Sequence, residues 1–153
     1  MSEEELKTYN GSCHCGNFSF TVTVPEIKRG ARCNCSLCHR KGYFWLNVTP
    51  EQFKADEGTG ELACYQVSEG SNRHLFCATC GTGVMARKVD DSFMAVNLNT
   101  VKDIDRKALE VKAYVYPAFF WIYRALRQLM SMNNTANSHQ IRRGISRRTI
   151  QDL

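Results

Sequence analysis

Gly11-Ser12-Cys13-His14-Cys15-Gly16-Asn17-Phe18-Ser19-Phe20-Thr21-Val22-Thr23-Val24 joins a pair of thiols to a run in which apolar and polar residues alternate without a break. A period of two puts Phe18, Phe20, Val22 and Val24 on one face, so the run reads as a half-buried β-strand. Pro25 ends it. Cys13 and Cys15 therefore sit at the mouth of a strand, where a C-x-C spacing lets both sulfurs approach one ion and Gly16 offers the positive φ of a tight turn.

Working outward, the same alternation of short β-prone runs and turn residues recurs. Tyr43 to Val48, Glu61 to Val67, Arg73 to Phe76, Val84 to Val89 and Phe93 to Leu98 read as strands. Thr49 to Phe53 reads as a turn or one short helical turn, and Asn99 to Lys107 as loop. About eight short strands with almost no helical periodicity before Tyr116 predict a mainly β domain. The 153 residues suit one domain with a modest core.

The eight cysteines come in short spacings rather than as dispersed singles. Besides Cys13 and Cys15, the chain carries Cys33-x-Cys35-x-x-Cys38 followed by His39, here read as a turn between two strands, and Cys77-x-x-Cys80-Gly81. The last spacing is that of a zinc knuckle, whose glycine relieves the backbone just after the second ligand. The chain opens on acidic residues and shows neither the basic start nor the apolar run of a secretory signal, so the cytoplasm, or the nucleus, is the expected compartment. In a reducing compartment such cysteines are metal ligands before they are disulfides.

The economical division joins Cys13, Cys15, Cys77 and Cys80 as a closed four-thiolate site that staples the domain and leaves Cys33, Cys35 and Cys38 as an open one exposed to substrate. That gives two Zn2+ per chain. Cys64, in mid-strand, reads as a small buried side chain, with completion of the open site as the alternative. Three thiolates weaken the Lewis acidity of an ion toward water, which favours a thiol ligand over hydrolysis. His39 is a candidate proton carrier, because its ordinary pKa suits neutral pH. His14 is expected in solvent and His74 on a strand surface. Arg40, Lys41 and Arg73 are candidates for receiving carboxylates, and Tyr43, Phe44 and Trp45 read as core.

Charge is unevenly placed. Residues 1 to 116 hold fourteen Lys/Arg and fourteen Asp/Glu, whereas residues 117 to 153 hold six Arg against Asp152, which accounts for the net +5. A neutral body argues against nucleic-acid binding, except weakly through the basic tail. In that tail Pro117 opens a helical stripe of Phe119, Ile122, Tyr123, Leu126 and Met130, and from Ser131 the composition predicts disorder. No apolar run reaches the ~20 residues that span a bilayer.

The ordered motifs Gly11-x-Cys13-x-Cys15-Gly16, Cys33-x-Cys35-Ser36-x-Cys38-His39-Arg40, Tyr65, and Arg73 through Phe76-Cys77-x-x-Cys80-Gly81-Thr82 resemble the glutathione-dependent formaldehyde-activating enzymes, grouped with centromere protein V. The resemblance covers about residues 8 to 112. It implies a β-tent of coiled antiparallel sheets stapled by zinc over a domain at 8–116; after about residue 112 the chain departs from the family's pattern, and 117–153 reads as a divergent helix and a disordered basic tail. It also implies the same structural and catalytic zinc ligands, and carbon-sulfur lyase chemistry of the S-(hydroxymethyl)glutathione synthase type on a small-molecule thiol such as glutathione. The competing expectation is a non-catalytic, zinc-stapled binding module whose basic tail meets a protein or polyanion.

Overall fold

The computed structural model describes residues 5–114, which lie within one compact unit, Met1–Val115. The expected C-terminal helix and basic tail lie outside the described residues. The chain is mainly β. In order it forms β1 (Leu6–Ser12), β2 (Ser19–Pro25), β3 (Arg29–Cys33), a short helix α1 (Ser36–Lys41), β4 (Trp45–Asn47), β5 (Phe53–Ala55), β6 (Leu62–Gln66), β7 (Arg73–Cys77), β8 (Gly83–Arg87), β9 (Met94–Asn97) and β10 (Glu110–Tyr114). Single 3-10 turns lie at Pro50–Gln52 and Leu98–Thr100.

Two sheets result. One has the order β1-β2-β5, and the other β10-β3-β4-β9-β8-β7-β6. The alternating run does what its period demands: Phe18, Phe20, Val22 and Val24 are buried, while Ser19, Thr21 and Thr23 between them are only part-buried. They share one core with Val84, Met85 and Val96 of the larger sheet and with Phe44, Leu98 and Val101 from the connecting segments. Burying each such side chain contributes about 1.5–3 kcal/mol, so this face holds the sheets together.

Three expectations are corrected. Ten strands, rather than about eight, occur among the described residues. The sheets are not all antiparallel, since β10 pairs with β3 in parallel, Val111 opposite Gly30. Parallel neighbours need a long crossover, and here the intervening chain supplies it. The three-cysteine stretch is not a plain turn: β3 runs into it and α1 leaves it. Six residues are too few to show helical periodicity, so its capping is the readable signal. The Cys35 side chain accepts from the Cys38 N–H, and Gly42 closes the helix by donating to the Cys38 and His39 carbonyls.

A second, smaller hydrophobic cluster gathers Ala31, Cys38, Tyr43, Trp45, Ala86 and Ala95, with Cys33, Cys35 and Phe93 packed against it. Ala86 and Ala95 are cross-strand partners, and Ala31 is the partner of Trp45. Small side chains at these paired positions leave room for the Tyr43 and Trp45 rings, which lie 4.3 Å apart between centroids.

Candidate functional site

All eight cysteines are free thiols, and seven fall into two groups. The sulfurs of Cys13, Cys15, Cys77 and Cys80 lie within 4.8 Å of one another, and so do those of Cys33, Cys35 and Cys38. The first group is attached to the large core and the second to the small cluster, so the two belong to different hydrophobic neighbourhoods.

The four-sulfur group is built by two turns. In the first, the Cys13 N–H donates to the Phe18 carbonyl and the Gly16 N–H to the Cys13 carbonyl, with Gly16 at φ 77°. In the second, between β7 and β8, the Gly81 N–H donates to the Cys77 carbonyl and Gly81 takes φ 73°. Only glycine adopts that region without steric cost, as the spacing implied. The Cys13 and Cys15 sulfurs are 3.6 Å apart, and those of Cys15 and Cys77 3.7 Å. Tetrahedral zinc with Zn–S bonds of about 2.3 Å sets its sulfurs about 3.8 Å apart, so this group fits that ion.

Thr82, the last residue of the third motif, bridges the two turns. Its hydroxyl accepts from the His14 N–H at 3.2 Å and lies 3.2 Å from the Cys80 sulfur. The Thr82 hydroxyl, its backbone N–H and the Cys15 N–H bring the Cys80 thiol down to about 5. The N–H groups of Cys80 and Thr79 lower Cys77 against the opposing effect of burial. At Cys15 the Asn17 N–H pulls downward, but burial and the neighbouring sulfurs of Cys13, Cys80 and Cys77 outweigh it and push the thiol up to about 11. Thiols that compete for protons in this way suit a shared cation.

The three-sulfur group is made by the end of β3 and the start of α1. The Cys35 N–H donates to the Cys33 sulfur at 3.4 Å, and the Cys38 N–H to the Cys35 sulfur at 3.4 Å. The Cys38 sulfur receives the indole N–H of Trp45 at 3.4 Å. Burial raises Cys33. Burial also opposes ionisation of Cys35, yet N–H donors from Cys38 and Leu37 and the neighbouring sulfurs bring it below the usual thiol range. Cys38, the most buried of the three, is pushed up to about 12 by burial and by Cys35 and Cys33, with Trp45 pulling the other way. Three sulfurs in reach of one ion, with no fourth Cys, His, Asp or Glu grouped with them among the described residues, fit a metal that keeps an open position.

Placement of the remaining candidates is mixed. His39 is exposed on α1, next to Cys38, and His14 is exposed as expected. Arg40 donates to the Ser36 carbonyl at 2.9 Å, Lys41 lies 5.4 Å over the Phe76 ring, and Arg73 is exposed on β7. Tyr43, Phe44 and Trp45 are buried, as expected. Cys64 is exposed rather than buried, because β6 is the outermost strand of its sheet, and it joins neither sulfur group. His74 is buried rather than on the surface, packed against the Tyr43–Trp45 pair at centroid distances of 5.6 and 5.9 Å. Its register opposite Ala86 puts it on the face of the small cluster, a neighbourhood that a local reading of β7 does not reveal.

The family model of the glutathione-dependent formaldehyde-activating enzymes matches residues 8–118. The chain belongs to that family. The matched span contains both sulfur groups and every described strand but the start of β1. A crystal structure of a Rhodobacter sphaeroides protein is similar, with a TM-score of 0.58 at 23% identity over 67% of this chain and 99% of that one. At that identity the likeness speaks to the fold. Membership supports a glutathione-related, formaldehyde-activating function, and the two cysteine groups could each hold a metal ion. No helix among the described residues is long and apolar enough to cross a membrane.

Proposed function

We propose that this chain is a zinc-dependent enzyme of the carbon-sulfur lyase type that joins formaldehyde to the glutathione thiol, giving S-hydroxymethylglutathione, or handles a closely related adduct in the cytoplasm. The observation that carries this reading is the asymmetry of the two sulfur groups, four in one and three in the other. Cys13, Cys15, Cys77 and Cys80 hold a structural zinc and fasten the β7–β8 turn to the entry of β2. Cys33, Cys35 and Cys38 hold the catalytic one.

Zinc bound by those three cysteines supplies an open position that favours the thiolate form of an incoming thiol at neutral pH. The chain's own residues do the rest. Arg40, Lys41 and Arg73 supply cationic side chains for the carboxylates of glutathione. Tyr43 and Trp45 form the rigid wall against which the three-cysteine group rests. As the new carbon-sulfur bond forms, the carbonyl π pair of formaldehyde moves onto its oxygen. His39 takes the proton released by the thiol and passes it to that oxygen, so thiol and aldehyde add with nothing left over.

The test is to follow adduct formation between glutathione and formaldehyde using fully metallated protein. The expected result is a rate above the uncatalysed background that disappears in Cys35→Ser. A rate equal to background would assign the chain to the zinc-stapled binding modules instead.

A further inference from the structure

We infer that Trp45 is a positioning residue of the three-cysteine centre: its indole N–H, donated to the Cys38 sulfur, orients that sulfur as a metal ligand and sets the metal affinity of the site. The inference rests on the reading of Cys33, Cys35 and Cys38 as metal ligands, and it adds a residue which that reading does not require.

The three sulfurs find their hydrogen-bond donors in different ways. Cys33 and Cys35 precede or cap α1, so the peptide N–H groups of Cys35 and Cys38 fall on them from within the same turn. Cys38 lies inside the helix. There the next backbone N–H groups are turned back along the helix, the His39 N–H donating to the Cys35 carbonyl at 3.0 Å. Its donor has to come from another element, and β4 provides it with the Trp45 indole at 3.4 Å. Cys38 is also the sulfur of the three with the least access to water, 6% exposed, so it depends most on a protein donor.

The indole is well fixed for this task. Trp45 is 7% exposed, its strand position is locked by pairing with Ala31 on one side and Asn97 on the other, and its ring is packed by Tyr43 and His74. Indole N–H is a donor only, so it cannot turn around and accept from a protonated thiol. It therefore suits the metal-bound Cys38 sulfur, which can only accept, better than a free thiol. Groups that hydrogen-bond a metal ligand in this way typically change metal affinity by about 10–100-fold when removed.

Cobalt(II) is a suitable probe, because sulfur-to-cobalt charge-transfer bands report on the sulfurs directly. The full chain is titrated as wild type, W45F and C35S, and as a variant carrying 3-benzothienylalanine at position 45, which keeps the bicyclic shape and lacks the N–H. Wild type is expected to take two cobalt ions. W45F and the benzothienyl variant are expected to keep one unchanged and bind the other about 10–100-fold more weakly. The charge-transfer band of the weaker site should move to lower energy, because the Cys38 lone pairs lose a stabilising proton. A purely structural Trp45 would be replaced by benzothienylalanine without a band shift or a loss of affinity, and that result overturns the inference. Should W45F fail to fold, the benzothienyl variant alone decides between the two outcomes. A wild type that takes one cobalt, with bands untouched in C35S, would overturn the metal reading of the three cysteines and this inference with it.

Discussion

Cys15 and Cys77 stand 62 positions apart in the chain, yet their sulfurs are 3.7 Å apart. That contact joins the entry of β2 in the small sheet to the end of β7 in the large one, so the four-cysteine group fastens together elements that belong to different sheets. Cys77 is wholly buried in the core that the sheets share. On the proposed reading of Cys77 as a zinc ligand, Cys77→Ser is expected to cost more than about 4 kcal/mol or to prevent folding, since it removes a ligand and buries a polar group together. Thermal or urea unfolding of the metallated protein measures it, and a melting temperature near that of the wild type would rule out a structural role for this group.

The opposite outcome is expected at the other group. Cys35 is half-buried and caps α1 by accepting from the Cys38 N–H. Serine is among the preferred residues at that position, so Cys35→Ser keeps the cap while removing the metal ligand proposed there. Metal analysis should show the loss of one zinc of two, with the unfolding midpoint shifted by about 1 kcal/mol or less. Two zinc ions retained in this variant would show that Cys35 is no ligand.

Gly83 opens β8 beneath the ring of Tyr43, and a Cβ there would come 2.5 Å from the Tyr43 hydroxyl oxygen. Tyr43 cannot simply swing away, because it is 3% exposed and packed against Trp45 and His74. Gly83→Ala should cost about 1–3 kcal/mol, the usual range for overpacking. In a double-mutant cycle the cost should shrink when Tyr43 is also changed to alanine, since the obstructing ring is then gone. Strict additivity would mean the two residues do not meet.

How much of this is legible in the residues follows from the range of the interactions. The strand at Phe18 to Val24 and both knuckle turns are legible because a period of two, or a glycine after a ligand, is a local signal. The grouping of seven sulfurs as four and three follows from counting spacings, and the structure brings together those same seven. The parallel pairing of β10 with β3, the burial of His74 and the exposure of Cys64 are not legible, because each depends on which strand becomes a neighbour far along the chain. Trp45 reads only as core. Its N–H reaches Cys38 through the path of the chain out of α1, which no spacing reveals.

His74 predicts a pH dependence. Burial, with the nearby Lys41 charge adding to it, holds its imidazole below the ordinary 6.5. The unfolded chain therefore binds a proton that the folded chain refuses, and stability falls as pH drops through about 6.5 toward the lowered folded value. Below that value both states are protonated and this contribution levels off. Protonation of the cysteines proposed as ligands adds its own acid sensitivity, so the informative quantity is the difference between wild type and His74→Phe. The variant should lose less stability than the wild type between pH 7 and pH 5. Parallel curves would place a proton on His74 equally in both states.

His39 offers the sharpest test of the proposed chemistry, because it is exposed on α1 and contributes nothing to either hydrophobic cluster. A change there should leave fold and metal content alone. If His39 carries the proton between thiol and aldehyde oxygen, His39→Gln lowers kcat by about 10²-fold, the lower end of general acid-base contributions, with KM for glutathione nearly unchanged. Because the site of the lost side chain is open to water, added imidazole should restore part of the rate, with a dependence on pH that follows the added base. Unchanged kcat in His39→Gln would transfer the proton to solvent and leave His39 as a surface residue of α1.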